Sequence, residues 1–150
     1  MLSLHSVARP DKALWAVFAL IGFTAVVAQT TMLRELIVVF QGNEASLGLM
    51  LAIWLLATAC GAAIPVALPS RRLVAVLQLA AALAFPAGIA IARASRLPFQ
   101  SVPGETLGPA AMLASAVWTL APFCLISGWL FSAAARLRSA GFVPGEIREV

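Results

Sequence analysis

The chain has 150 residues, 62% of them hydrophobic and only 11% charged, with a formal charge of +4. So small a globule has too high a surface-to-volume ratio to hide this much apolar material, so an ordinary soluble domain is excluded and a lipid solvent is indicated. Nor does the positive balance indicate nucleic acid, because the basic residues stand in short groups at the ends of apolar runs, without interleaved aromatic side chains.

Residues 1–12 read as a polar tail carrying Arg9 and Lys12. Beyond it, four runs reach the ~20 apolar residues needed to cross ~30 Å of hydrocarbon as helix. The first is Ala13 to Leu33, uncharged, with an amphipathic extension to Phe40. Its beginning looks like a signal peptide, but the run outlasts a usual signal core and is expected to stay as a helix. The second spans Leu47 to Leu68, the third Leu73 to Ala92 and the fourth Pro109 to Ala135. None alternates apolar with polar residues as a barrel strand must, and a helix satisfies its own backbone in lipid. The expected fold is therefore all-α: a polytopic transmembrane bundle of about four helices over residues 13–136. Residues 137–150 are expected to form a tail, and Gly141 to Val150 (GFVPGEIREV) reads as a run-up to a further helix in a longer chain.

The connections are short between the first three runs, which predicts antiparallel, adjacent neighbours. Asn43 or Ser46 is available as N-cap for the second helix. Pro86 and Pro122 fall inside the third and fourth runs, where each removes a backbone donor and predicts a kink. Small residues recur at four-residue spacing (Ala57 and Gly61, Ala59 and Ala63, Gly128 and Ser132), which permits close helix approach. Basic residues divide by side. Arg9, Lys12, Arg71, Arg72, Arg136, Arg138 and Arg148 would lie on one face of the membrane, and Arg34, Arg93 and Arg96 on the other. The positive-inside rule then places both termini in the cytoplasm of a cell whose inner (plasma) membrane holds the protein. Trp15 falls at interface depth and fits an aromatic belt, whereas Trp54 and Trp118 lie deeper and are expected to pack in the core.

Candidate functional residues concentrate between Gly22 and Gly48. Thr24, Thr31 and Glu35 fall on one helical stripe, opposite Leu33, Leu36, Ile37 and Phe40. Charges beside an apolar span are costly unless paired or wetted, which singles out Arg34, Glu35 and Glu44. These three are expected to form a local network fixing the turn, with a substrate or proton site as the sharper alternative. Gln29 lies deeper and either bonds to another helix or lines a cavity. With Thr31 and Asn43 added, the candidate polar cluster is Gln29, Thr31, Arg34, Glu35, Asn43 and Glu44. Thr58, Gln78, Ser115, Thr119 and Ser127 are expected to serve helix packing.

No catalytic centre is expected. Cys60 and Cys124 lack zinc or disulfide spacing, and His5 is the lone histidine, so no metal or other cofactor is predicted. The chain has no GxGxxG, Walker lysine loop, GxSxG or HExxH motif.

The pattern of Gly22-Phe23, Gln29, Leu33-Arg34-Glu35-Leu36, Val39-Phe40, Gly42-Asn43-Glu44, Ser46-Leu47-Gly48 and Trp54-Leu55 resembles the N-terminal membrane part of spermidine synthase-like proteins. These are also called fused major-facilitator/spermidine synthase proteins. Pro122 to Arg136 (PFCLISGWLFSAAAR) resembles that family's fourth helix. The resemblance implies a transporter-like bundle that precedes further helices and a cytosolic aminopropyltransferase-like domain. The positions that serve catalysis in that domain have no counterpart here. The implied role is to anchor or position such a polyamine-type domain or a partner at the bilayer. Two alternatives stay open: a fragment of a small-solute transporter, with Gln29, Thr31, Arg34 and Glu35 along its path, and an accessory subunit of a membrane complex.

Overall fold

A computed structural model describes residues 12–40, 44–67, 70–95 and 108–141. It contains four helices: α1 Lys12–Val39, α2 Glu44–Ala63, α3 Arg71–Ala94 and α4 Pro109–Gly141. All four are long and apolar enough to span a membrane, and the chain is an all-α bundle of the multi-pass membrane type.

Local chemistry explains several of the helix ends. The apolar run of the second segment continues to Leu68, yet α2 stops at Ala63. Pro65 is the cause, because its ring disfavours helical geometry at Ile64. The Ile64 amide turns back to the Gly61 carbonyl instead, at 3.2 Å. Ser70 then caps α3, its Oγ accepting from the Leu73 amide at 3.1 Å. Pro109 opens α4 at a position where a missing amide hydrogen costs little. Ser46 is no cap: it is buried inside the first turn of α2, and Asn43 lies outside the described residues. Helices α3 and α4 run on through Pro86 and Pro122. At 33 residues, α4 extends about 50 Å, well past the hydrocarbon thickness.

The helices alternate in direction but do not pack in chain order. α2 and α3 make no contact among the described residues, and α1 barely touches α2. Short connections made these neighbours antiparallel without making them adjacent. The principal partner of α2 is α4, lying parallel to it, and α3 packs antiparallel along another side of α4. α1 rests chiefly on α3, again parallel, and more lightly on α4.

Shape explains why α2 seeks α4. A Cβ on Gly61 would collide with the Leu125 carbonyl, and one on Gly128 with the Thr58 carbonyl. The two backbones are therefore in direct contact, as small residues in membrane helices allow. One turn further on, Ser132 Oγ donates to the Ala62 carbonyl at 2.8 Å, and Arg136 Nη1 reaches the Val66 carbonyl at 3.2 Å. Ala59 and Ala63, the other small pair on α2, face outwards instead. α3 repeats the device with Gly88, where a Cβ would lie 2.9 Å from the Thr119 carbonyl and strike the Met32 side chain.

Two apolar clusters fill the interior. The larger is built around Met32, Leu36, Phe40, Met50, Leu120 and Phe123. The smaller, at the other end, joins Ile21, Val66, Leu77, Leu130, Ala133 and Ala134. Ile37, expected beside Leu36 and Phe40, is 36% exposed and belongs to the outer surface. Trp118 is 69% exposed, so depth along the helix did not make it a core residue. Trp54 is partly buried against the larger cluster.

Replacing Gly128 with leucine should force α2 and α4 apart and cost about 1–3 kcal/mol, as overpacking does. Gly48, where an added Cβ meets nothing within 4 Å, should accept alanine without loss. Thermal unfolding of both variants in detergent checks this, and equal midpoints would remove Gly128 from the seam.

Candidate functional site

The parallel packing of α1 on α3 brings Glu35 and Arg93 to one end of the bundle at the same level. The guanidinium grips the carboxylate with two bonds, Nε to Oε2 at 3.1 Å and Nη2 to Oε1 at 2.9 Å. Glu35 is the more sheltered partner, with 28% of its side chain exposed against 68% for Arg93. Paired, bidentate geometry is the strong form of such a contact, but solvent access keeps its contribution to stability modest.

This pair replaces the expected turn network. Arg34 is exposed beside Glu35 and, among the described residues, forms no ion pair of its own. Glu44 is the first residue of α2, where its charge complements the positive end of the helix dipole. Asn43 lies outside the described residues. Arg93 was legible in sequence only as a charge closing an apolar run. Finding its partner required knowing that α1 and α3 are parallel neighbours.

Deeper in the bundle the polar residues divide into two groups. Thr24 and Thr31 turn their hydroxyls back onto their own helix, to the Leu20 carbonyl at 2.8 Å and the Val27 carbonyl at 2.7 Å. Thr30 does the same with Val26. Their donors are thereby used locally, as is common for hydroxyls on helices in lipid. Gln29, by contrast, is buried in the interior, and the Thr58 hydroxyl on α2 is buried without a hydrogen-bond partner. Ser115 and Thr119 are also buried on α4, and their hydroxyl oxygens have no hydrogen-bond partner.

A cleft of about 300 Å³ opens between α1, α3 and α4. Its walls are mainly apolar, including Ile21, Val27, Phe85 and Phe123, with Thr24, Gln78 and Ser127 as polar members. Gln78 Oε1 is buried there without a partner. Gln29 does not line this cleft, nor do Thr31, Arg34 and Glu35. Phe85 and Phe123 meet edge to face across the α3–α4 side, with ring centroids 6.3 Å apart.

At the opposite end from Glu35, Arg138 lies over the Trp15 ring, 4.4 Å from its centroid, and 5.8 Å from that of Phe18. The contact ties the start of α1 to the end of α4.

No family model matches this chain, and neither a curated protein nor a solved structure matches it.

Two outcomes follow from this geometry. Reversing either charge alone, Glu35→Arg or Arg93→Glu, should lower the unfolding midpoint, and combining the two should recover most of the loss. A double variant no better than either single one would show that the pair does not hold α1 to α3. Cys124, buried between helices, should resist a thiol reagent in detergent until the bundle unfolds, while the exposed Cys60 should react readily. Mass spectrometry of the labelled chain separates the two sites.

Proposed function

We propose that this chain is a membrane-anchoring domain that presents its cytoplasmic face to an aminopropyltransferase-like domain or partner. In this reading it performs no chemistry itself. The observation that carries it is the segregation of charge between the two ends of the bundle. The start of α1 and the end of α4 share one end with Arg71, Arg72, Arg136 and Arg138. The described carboxylates, Glu35 and Glu44, stand at the other end with Arg34 and Arg93. By the positive-inside rule the arginine-rich end faces the cytoplasm of a cell bounded by this plasma membrane. Both the N-terminal tail and whatever follows α4 then emerge on that side.

The interior supports anchoring over passage. The Thr24 and Thr31 hydroxyls donate within their own helix, and the Glu35–Arg93 pair sits at a helix end. The large buried side chains between them are Met32, Leu36, Phe40, Met50 and Leu120. The link to polyamine-type proteins rests on the Leu33-Arg34-Glu35-Leu36 and Gly42-Asn43-Glu44 resemblance.

One observation favours a second reading, in which the domain moves a small solute: the cleft between α1, α3 and α4, with the unpartnered Gln78 Oε1 in its wall. Its occupant would be largely apolar with a hydrogen-bond donor.

A reporter fused after Val150 tests the anchoring topology. A fluorescent protein there should fold and fluoresce, and an alkaline phosphatase should stay inactive, since each works on only one side of the membrane. Active phosphatase would reverse the topology and leave the arginine-rich face unable to meet a cytosolic domain. Unchanged solute uptake or efflux in a Gln78→Ala, Glu35→Ala variant would count against the transport reading.

A further inference from the structure

We infer that the arginine-rich end of the bundle, formed by the first turn of α3 and the last turns of α4, binds the anionic headgroup of a phospholipid. The inference rests on the bundle spanning a bilayer, and not on the anchoring role or on which face is cytoplasmic.

Four exposed guanidinium groups gather there. Arg71 and Arg72 open α3, and the antiparallel packing of α3 on α4 sets that turn level with Arg136 and Arg138. Leu73 and Val74, next along α3, pack onto the cluster that contains Ala133 and Ala134, which fixes this register. Arg71 and Arg72 make no ion pair, and among the described residues the carboxylates, Glu35 and Glu44, both stand at the opposite end. The helix dipole adds to the imbalance. Two cations occupy the end of α3 where the macrodipole is itself positive, and Ser70 Oγ answers only the Leu73 amide. Among the described residues no carboxylate offsets these cations, which leaves the end open to an anion.

The surroundings identify that anion. Arg138 lies over the exposed ring of Trp15, and an amphipathic indole on a membrane helix marks the headgroup level. Arg136 is held by the Val66 carbonyl through Nη1 alone, leaving its other donors available. The anion abundant at this depth is lipid phosphate, which suits the fork of an arginine. A zwitterionic headgroup brings its own ammonium towards four arginines, so a net negative headgroup is selected. At the other end Arg34 and Arg93 are offset by Glu35 and Glu44, and the same selection does not arise.

The test compares the full chain with the variant Arg71→Gln, Arg72→Gln, using Arg34→Gln at the opposite end as the charge control. Each is reconstituted in nanodiscs of phosphatidylcholine alone or mixed with phosphatidylglycerol. Lipid retained on the protein is then read by native mass spectrometry and thermal stability by unfolding. The full chain should retain phosphatidylglycerol preferentially and be stabilised by it. Loss of two interfacial arginines should weaken that retention roughly twenty- to thirty-fold, at the usual strength of such contacts. Arg34→Gln should behave as the full chain. Should Arg71→Gln, Arg72→Gln fail to fold, Arg138→Gln replaces it, with a roughly fivefold loss of preference expected for the single arginine. Equal retention of both lipids, an equal loss in Arg34→Gln, or full stabilisation by inorganic phosphate in detergent would each overturn the inference.

Discussion

The rest of the bundle depends on the backbone contact between α2 and α4. Gly61 and Gly128 leave no room for a side chain between the helices, and Ser132 adds a hydrogen bond across the same seam. In lipid there is no hydrophobic drive to bring two apolar helices together, so close van der Waals approach and interhelical hydrogen bonds must supply the attraction. α2 is committed to α4 and makes no contact with α3 among the described residues. The segment after Ala63 must then carry the chain round to another side of α4. Val66 is buried on that route, with its carbonyl held by Arg136.

α1 is left with the lightest attachment. It is secured at one end by Glu35 on Arg93, along its length by Met32 against Gly88, and at the other end by Trp15 beneath Arg138. Between those ties it does not close fully on α3 and α4, and the cleft lies in that gap. α1 is thus held by polar contacts near its ends and by Met32, Leu36 and Phe40 in the larger apolar cluster. The Gln78 amide oxygen, buried without a partner, lies in the wall of that gap.

Polar groups follow the logic of a low-dielectric solvent. Threonine hydroxyls on α1 donate back to carbonyls of the preceding turn, where an acceptor is always at hand. Full charges are kept to the helix ends, where water and headgroups are available. The two ends nevertheless differ in kind. Among the described residues, one balances arginine against glutamate, while the other gathers exposed arginines.

Apolar length by itself determined four helices, because a spanning segment must satisfy its backbone internally and must be about twenty residues long. The sequence also determined which charges share a face, since alternating direction follows from helices joined end to end. It told less about where helices stop: the apolar run to Leu68 hid the break that Pro65 imposes after Ala63. Tertiary structure alone decided who packs on whom. Gly61, Gly128 and Ser132 became the central seam, while Ala59 and Ala63, with the same spacing, were left facing outwards. It likewise decided that Glu35 pairs with Arg93, and that Trp118 points outwards. The physical reason is common to these cases. Spacing along a helix defines a face, but only the shapes of two helices in contact determine which faces meet.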